Sequence, residues 1–512
     1  LMNGISVGYL AQDVMLPAGT LWEAATVPSP DLANALAQLN DAEARLDDPE
    51  VYNDINALEA ALEAQQIALT RCEKLDSARH ESLVRELLAR LGFASEDLDL
   101  PTSALSGGQK KLVALARLAA WSPDILLLDE PDNHLDLKAK AYLEAFIRGY
   151  RGGVVIVSHD RYLLDECVTG IAELDEGKIT MYVGNYSEYA IERDLRRMRQ
   201  QQMYGVQQRR IAQIEARIHE WDLAAKANDE RAARQAASRR KMLARMEANG
   251  EIIERVRDRK YMELEIGGSR GSTKALELEA VTMGFDDDLL FMDVNLLVQH
   301  GERVGLIGQN GAGKSVLFSL IRERLYPLSG NVKIGPSTRI GYYAQQHETL
   351  AQWYSRTPID LIRDIQPMPE STAVNKLLKF AFTYQQVRQP IGTLSGGERS
   401  RLQLLALVLQ QPNLLLLDEP TNNLDIGSAE VLEAALDEFE GAVLVISHDR
   451  YFLDRVVDRI VELEDGSLTE YSGNYADYVR QKEEKRLRLL QKMQKRQKQR
   501  STSQTQPTKK RA

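Results

Sequence analysis

The chain has 512 residues, of which 44% are hydrophobic and 27% charged, and its formal net charge at pH 7 is −11. This length predicts at least two globular domains. No apolar run approaches the roughly 18 residues that a membrane-spanning helix needs, which argues against direct membrane insertion. The two cysteines, Cys72 and Cys167, are too few for a disulfide framework, so we expect a cytoplasmic protein.

The first recognisable elements in the chain belong to a set of short motifs that occurs twice. LSGGQ at Leu105–Gln109 recurs as LSGGE at Leu394–Glu398, and GNYSEY at Gly184–Tyr189 recurs as GNYADY at Gly473–Tyr478. The LLLDEP, NxLD and SHDRY segments recur in the same order, and the offset is 289 residues every time. A constant offset indicates a duplicated domain. We define copy one as residues 1–190 and copy two as residues 272–480.

Copy one differs from copy two at its start. GYLAQ, which ends at Gln12, corresponds to GYYAQ, which ends at Gln345, but far less sequence precedes Gln12. We therefore expect copy one to lack its Walker A region, either because the sequence is a truncated gene model or fragment or because it is a natural variant. Copy one also has Asp132 where copy two has Thr421, and the sequence offers no reason for this difference.

Two segments outside the repeat have helical patterns. Residues 31–79 are rich in Ala, Leu, Glu and Gln with apolar spacings of three and four, which predicts a helical arm inserted in copy one. Residues 191–271 place Ile211, Ile214 and Ile218 on one stripe of a helix, and a second helix is expected from about Asp229 to Arg257. The pattern therefore predicts a stiff helical-hairpin linker between the copies.

The linker and the C-terminal tail are basic, although the whole chain is acidic. Residues 191–260 contain 18 Lys and Arg against 11 Asp and Glu, and the tail at 481–512 contains 12 against 2. Basic segments on an acidic protein suggest contact with a polyanion, and a solvated helical face is the alternative. The candidate RNA-contact residues at the hairpin tip are Arg231, Arg234, Arg239, Arg240 and Lys241.

Copy two contains a sequence of the form GxxxxGK[ST] between a predicted strand and a predicted helix. Its glycines allow the backbone to approach a phosphate, and the helix N-terminus presents N–H groups to the anion. The lysine can reach the β- and γ-phosphates, and the serine can ligate Mg²⁺. The candidate nucleotide-binding residues are Gly308, Gln309, Asn310, Gly311, Ala312, Gly313, Lys314 and Ser315.

Further along copy two, four aliphatic residues precede Asp418 and predict a buried parallel strand. That strand would bring Asp418 to the metal and Glu419 to the γ-phosphate, where Glu419 could act as general base. His448 follows another aliphatic strand and could contact the γ-phosphate, while Gln345 could contact metal and water. Phe285 either stacks on the adenine or packs in the core.

These motifs together resemble the ATP-binding cassette (ABC) ATPases. The chain resembles the ABC-F family in four features. It has two cassettes, no membrane span, SHDRYFLD after the LLLLDEP segment, and a charged helical linker. The resemblance implies an α/β fold of two tandem P-loop NTPase cassettes joined by a long helical hairpin. It also implies ATP hydrolysis with Mg²⁺ and a role as a ribosome-associated translation factor or in antibiotic resistance.

In the family, cassettes pair head to tail, so each nucleotide lies between the P-loop of one copy and the LSGG motif of the other. The resemblance implies that copy one completes the copy-two site with Ser106, Gly107, Gly108, Gln109 and Asp136. It implies an incomplete second site made of Gln12, Asp129, Glu130, His159, Ser395, Gly396, Gly397 and Glu398.

The resemblance further implies that the linker contacts tRNA and that the arm contacts the ribosome, so rRNA and tRNA are the expected partners. Two other functions remain open at this point. The basic tail permits a DNA-associated ATPase, and a separate membrane partner would permit the ATPase subunit of a transporter. Salt-sensitive binding to ribosomes or to DNA would separate the translation factor from the DNA-associated ATPase.

Overall fold

The computed structural model describes residues 5–48, 51, 55–74, 77–175, 177–226, 229–249, 251–253, 262–267, 271–285, 288–345 and 348–504. The chain divides into two compact units. Unit 1 combines Leu1–Leu163 with Tyr261–Ala512, and unit 2 is Leu164–Lys260. Unit 1 thus holds copy two and most of copy one, while unit 2 begins inside copy one and includes the linker up to Lys260.

Copy one is built on a three-stranded parallel sheet in the order β1-β2-β3. Leu126 and Leu128 on β2 are buried, and α5 packs against β1. The described elements are β1 (Val7–Leu10), α1 (Leu21–Ala25), α2 (Pro30–Leu46), α3 (Ile55–Lys74), α4 (Ser77–Arg90), a 3-10 turn (Ser95–Asp99), α5 (Gly107–Ala120), β2 (Ile125–Asp129), α6 (Leu137–Gly149), β3 (Gly153–Val157) and α7 (Arg161–Cys167).

The inserted arm consists of α2 and α3, which pack against each other. Ser29 caps the N-terminus of α2 through its hydroxyl, which accepts from the N–H of Leu32 at 3.2 Å. The helix ends at Leu46 with Asp47 as its C-cap. Its buried side chains are small or aliphatic, as the apolar spacing predicts.

Unit 2 contains an antiparallel hairpin and two helices. The strands are β4 (Gly170–Asp175) and β5 (Lys178–Val183), and the helices are α8 (Tyr186–Lys226) and α9 (Glu230–Ala248), which pack together. Asp229 caps α9 by accepting from two backbone N–H groups. The predicted second helix was too long, because α9 ends at Ala248 with Asn249 as its C-cap, and residues 251–253 are not helical.

Copy two contains a six-stranded sheet in the order β10-β11-β12-β8-β13-β14 and a three-stranded antiparallel sheet in the order β7-β6-β9. The strands are β6 (Lys274–Phe285), β7 (Asp288–Gln299), β8 (Arg303–Gly308), β9 (Ser329–Ile334), β10 (Ile340–Tyr343), β11 (Leu414–Asp418), β12 (Ala442–Ile446), β13 (Arg459–Glu464) and β14 (Ser467–Ser472).

The helices of copy two cover both faces of the larger sheet. They are α10 (Lys314–Ile321), α11 (Pro358–Ile365), α12 (Glu370–Lys379), α13 (Gly396–Leu409), α14 (Ile426–Asp437), α15 (Arg450–Val456) and α16 (Tyr475–Gln504), with 3-10 turns at Glu348–Trp353, Gln386–Arg388 and Ile391–Thr393. Within the described ranges, no helix combines the length and apolarity needed to cross a membrane.

The core of copy two follows from the alternation of side chains along a strand. Leu414 and Leu416 point into a cluster formed with β6, β7 and α10, whereas Leu415 and Leu417 point into a cluster formed with α11 to α15. A strand that is covered on both faces needs apolar residues at every position. This arrangement holds Asp418, the next residue of β11, at the carboxyl edge of the sheet.

Candidate functional site

The loop between β8 and α10 is built around glycines and a buried lysine. Gly311 and Gly313 have φ angles of 83° and 99°, a region that residues with a Cβ adopt only with strain. The Nζ of Lys314 donates to the carbonyl oxygens of Gly308 at 2.7 Å and Gln309 at 2.9 Å. The loop is therefore curled around its own lysine in front of the N-terminus of α10, where N–H groups face an anion.

Oxygen donors suited to a divalent cation lie beside this loop. The Oγ of Ser315 donates to Oδ2 of Asp418 at 3.2 Å, and Asp418 is only 4% exposed. Gln345 follows β10, the strand next to β11, and lines the same cavity. A hydroxyl, a carboxylate and an amide oxygen are ligands of the type that Mg²⁺ takes, so these residues fit that ion.

Glu419 and His448 form a buried pair on neighbouring strands. The backbone N–H of His448 donates to Oε2 of Glu419 at 3.1 Å, and the Nε2 of His448 lies 3.6 Å from Oε1. Glu419 has a φ of 48°, a left-handed conformation that is costly away from glycine. The Oε1 of Glu419 and the Nδ1 of His448 are buried without a hydrogen-bond partner among the described residues. Oε1 is thus available to a group in the cavity.

Burial sets the protonation of these groups. It raises the pKa of Glu419 to about 7, and the nearby charge of Asp418 adds to the rise. It also raises the pKa of Asp418 to about 6. Burial lowers the pKa of His448 well below its usual value, helped by the charges of Lys314 and Lys140. A neutral histidine therefore lies next to a carboxyl group that can exchange a proton near neutral pH.

Copy one closes the other side of this cavity, which has a volume of about 1020 Å³. The backbone N–H of Asn310 donates to Oδ2 of Asp136 at 3.4 Å, and its side-chain amide donates to the carbonyl of His134 at 3.3 Å. The predicted residues that line the cavity are Gln12, Ser106, Gly107, Gly108, Glu130, His159, Phe285, Asn310, Gly311, Gly313, Lys314, Ser315, Gln345, Gly396, Gly397, Asp418, Glu419 and His448.

The other predicted residues lie beside this lining. Gly308 is bonded to Lys314, and the rest are chain neighbours of lining residues: Gln309, Ala312, Gln109, Asp136, Asp129, Ser395 and Glu398. The side chain of Gln109 caps α5, because its Oε1 accepts from the N–H of Ser106 at 2.9 Å. Phe285 is 48% exposed, so it does not belong to the core and is free to face a ligand.

Comparisons with known proteins agree with this architecture. The sequence model of the ABC transporter family matches residues 4–133 and 291–422, and a second model with the same description matches residues 172–265 and 461–512. The chain is 37% identical to the putative ATP-binding protein YdiF of Bacillus subtilis and 34% identical to ABC transporter F family member 2 of Arabidopsis thaliana. The chain belongs to the ABC-F family.

The ABC-F chain and these relatives differ in length. The matches cover 80% and 85% of this chain but only 62% and 64% of the two relatives. Among solved structures, the archaeal ribosome recycling factor aABCE1, in complex with the stalk protein aP1, has a similar fold. The TM-score is 0.51 at 20% identity, covering 77% of this chain and 69% of that one. The predicted tandem cassettes are thereby confirmed.

The second site of the ABC-F chain is arranged differently from the first. The Nε2 of Gln12 donates to Oε2 of Glu130 at 2.7 Å, and the side-chain amide of Asn133 bonds to the same oxygen. The Nε2 of His159 lies 3.9 Å from Glu130. Tyr9 donates its hydroxyl hydrogen to Asp129. One oxygen of each carboxylate, Oε2 of Glu130 and Oδ2 of Asp129, therefore accepts from side chains of copy one.

The candidate RNA-contact residues all lie on α9 in unit 2, and all are exposed. Two of them form ion pairs within the unit. Arg234 lies 3.3 Å from Glu230, one turn earlier, and Arg240 pairs with Asp222 on α8. Arg231 and Lys241 complete the cationic surface with Arg239, whose guanidinium lies against Met242. These three residues, which form no ion pair among the described residues, are the ones to change in a test of RNA contact.

Motif analysis alone missed a buried charge cluster beside the site. Asp132 accepts from the hydroxyl of Ser158 at 2.7 Å, and Lys140 forms a 2.7 Å ion pair with Asp160. Burial raises the pKa of Asp132, and the positive charge of Lys140 opposes the rise. At the same offset of 289, copy two has Thr421 and Ala429 in place of Asp132 and Lys140. Comparing the copies position by position would have revealed this paired difference.

Proposed function

We propose that this chain hydrolyses ATP in the cavity between its copies and uses their closure to bind ribosomes, with roles in translation regulation or antibiotic resistance in the cytoplasm. One observation supports the ATPase function above the others. The Oε1 of Glu419 is buried and without a partner among the described residues, in a cavity that also contains Lys314 and that copy one closes. A general base needs such a free oxygen.

The chain's own residues would divide the chemistry as follows. Glu419 accepts a proton from the attacking water through Oε1, while the N–H of His448 holds Oε2. Lys314 turns from its two carbonyl partners to the phosphates. Asp136 of copy one holds the backbone of Asn310 and so fixes the loop around the phosphates. Positioning and charge stabilisation are the main catalytic terms in phosphoryl transfer.

The metal site would be made by Ser315, Asp418 and Gln345. When bound there, Mg²⁺ would neutralise negative charge on the phosphate oxygens. Burial raises the pKa of Asp418 to about 6, and the charge of the nearby Lys314 opposes this rise. A cation at Asp418 would therefore stabilise its ionised form.

The ribosome part of the proposal rests on the linker. Exposed cations on α9 suit RNA phosphates, which are contacted through charge and shape rather than through base edges. The linker helices are continuous over long stretches, and α8 alone extends from Tyr186 to Lys226. Stiff helices hold these cations in a fixed arrangement on one surface, as a flexible linker does not. The expected partners are therefore rRNA and tRNA.

The test is co-sedimentation of Glu419→Gln protein with ribosomes, with and without ATP, over a series of salt concentrations. Removing the base should keep ATP bound and the copies closed. We expect ATP-dependent pelleting that weakens as salt rises, because phosphate contacts release counterions. The double variant Glu419→Gln with Lys314→Ala, which loses the phosphate ligand, is the control and should not pellet.

Charge variants locate the binding surface. Changing Arg231, Arg239 and Lys241 to Gln should lower the salt slope by about one for each RNA phosphate that the protein no longer neutralises. The matched triple variant on α16, with Lys485, Arg486 and Arg488 changed to Gln, should leave the slope unchanged. Pelleting without ATP dependence, or an effect of the α16 variant alone, would contradict the proposal. Binding to duplex DNA in place of ribosomes would support the DNA-associated ATPase.

A further inference from the structure

Two buried arginine–glutamate pairs join copy one to copy two. The Nη1 of Arg450 donates to Oε1 of Glu144 at 2.7 Å, and the Nη1 of Arg161 donates to Oε2 of Glu433 at 3.3 Å. The four side chains are at most 7% exposed. Arg161 and Arg450 are 289 residues apart, and so are Glu144 and Glu433. We call them the interface pairs; they are two versions of one contact.

Each of these arginines also contacts an aromatic ring of the opposite copy. The guanidinium of Arg161 lies 4.1 Å from the ring centroid of Tyr451, and that of Arg450 lies 4.6 Å from that of Tyr162. The two tyrosines are also equivalent positions of the repeat. Each arginine is therefore held by an anion and by a ring from the opposite copy. A planar guanidinium can stack on the ring and donate to the carboxylate in one orientation.

The Arg450 pair connects the two halves of the intact site. Arg450 is two residues after His448, whose N–H holds the carboxylate of Glu419. Its Nη2 also donates to the carbonyl of Leu137 at 3.2 Å, and Leu137 directly follows Asp136. Glu144 lies on α6, the helix that Asp136 caps. One side chain of copy two thus binds the beginning and the middle of the copy-one helix that contacts the P-loop.

A buried ion pair adds little net stability, because the cost of desolvating both charges offsets their attraction. What such a pair supplies is orientation. The Arg161 pair provides an internal reference: it is also a buried arginine–glutamate pair between the copies, although Glu433 additionally lies 3.5 Å from Arg455, and it adjoins His159 and the second site. The two pairs should therefore contribute similarly to holding the copies together and differently to the reaction at the intact site.

We propose that Arg450 and Glu144 are positioning residues for the intact nucleotide site. Their contact holds the end of α6 next to Asp136 against the loop that contains His448. Asn310, which Asp136 contacts, and Glu419, which His448 contacts, are thereby held in one geometry when the copies meet. The Arg161–Glu433 pair does this for the second site. The proposal rests on the ATPase part of the proposed function and is independent of ribosome binding.

The experiment compares Glu144→Gln with Glu433→Gln in steady-state ATP hydrolysis by the full chain. We expect Glu144→Gln to lower kcat at least about tenfold, because a small misplacement of catalytic groups is costly, while KM stays within about twofold. Glu433→Gln should leave kcat within about threefold. Thermal unfolding of each variant checks that it is folded.

A double variant separates orientation from packing. Glu144→Leu with Arg450→Met replaces the pair by apolar side chains, which buried pairs commonly tolerate. We expect this protein to fold, even if Glu144→Gln does not, and to retain the low kcat. Full recovery of kcat, or equal decreases for Glu144→Gln and Glu433→Gln, would overturn the proposal. A wild type that hydrolyses ATP without pelleting with ribosomes overturns only the ribosome part of the proposed function, and a wild type without turnover overturns both proposals.

Discussion

In copy two, β8 lies between β12 and β13 and links the parallel strands to the terminal hairpin, whereas the described residues of copy one contain no strand equivalent to β8. The consequence is visible in the exposure of side chains at equivalent positions of the two copies. Val155 and Val157 on β3 are each 56% exposed, but their copy-two counterparts Leu444 and Ile446 are buried. β8, the strand that precedes the P-loop, therefore also completes the sheet of copy two.

The same comparison applies to the carboxylates that follow β2 and β11. The side chain of Glu419 is 7% exposed and its Oε2 accepts from a backbone N–H, while that of Glu130 is 19% exposed and its Oε2 accepts from Gln12 and Asn133. Both residues have left-handed φ angles, 45° for Glu130 and 48° for Glu419. Equal backbone geometry thus goes with unequal burial and different partners of the side chain. We expect the two sites to be unequal in activity.

The largest expected effect tests that inequality directly. Glu419→Gln should lower kcat for ATP hydrolysis by about 10²–10⁴, since it removes the general base. Glu130→Gln should change kcat by no more than about threefold, because Oε2 of Glu130 is held by Gln12 and Asn133 and its side chain is more exposed than that of Glu419. Phosphate release at saturating ATP and Mg²⁺ measures both. Equal decreases for the two variants would show that the sites act as one.

The next effect concerns the charge cluster found only in copy one. Lys140→Ala should lower the free energy of unfolding by about 3–5 kcal/mol, because Asp160 and Asp132 lose their buried cation. Adding Asp132→Thr reproduces the copy-two residues and should restore at least half of that stability. Urea unfolding measures both proteins. A double variant less stable than Lys140→Ala would contradict this account of Asp132.

A smaller expected effect tests whether equivalent strands of the two copies, β12 and β3, are equally buried. Leu444→Ala should lower the free energy of unfolding by about 2–5 kcal/mol, as expected for a fully buried leucine. Val155→Ala, at the equivalent position, should change it by no more than about 0.5 kcal/mol. The same unfolding assay applies. A large decrease for Val155→Ala would mean that the face of β3 is covered in solution.

The smallest effect is on pH dependence. The pKa of Glu419 is raised to about 7, so its carboxylate is protonated as pH falls through that value. We expect kcat to decrease about tenfold per pH unit well below pH 7 and to level off above it, because only the ionised form accepts a proton. His448 stays neutral in this window, since burial lowers its pKa. A rate that rises as pH falls would exclude this role for Glu419.

Much of the fold and the copy-two site could be predicted because strong local patterns encode them. The aliphatic run before Asp418 specifies a buried strand, and the glycine spacing around Lys314 specifies a phosphate loop. The start of unit 2 at Leu164 could not be predicted, because the boundary falls inside α7, where no local pattern changes. The capping role of Gln109 was missed because Gln109 was considered only as a ligand of the nucleotide.

The contacts between the copies could not be predicted from the sequence for a different reason. Arg161 and Arg450 lie on helical segments whose patterns mark them as ordinary surface cations. Their partners are up to 313 residues away in sequence, as for Arg450 and Leu137. Pairing over such a separation follows from the head-to-tail packing of whole copies, which no local pattern contains. Only the repeat offset, applied to every position, points to them.

The Asp132–Lys140 difference constrains the mutational routes between the two copies. From the copy-two residues, acquiring the aspartate first buries an anion without its lysine, and acquiring the lysine first leaves it with Asp160 alone. An unpaired buried charge costs about 3–5 kcal/mol, a large share of the 5–15 kcal/mol that keeps a typical domain folded. Recombination between the repeats that brings in the aspartate without the lysine would therefore be disfavoured, whereas the lysine alone would still pair with Asp160.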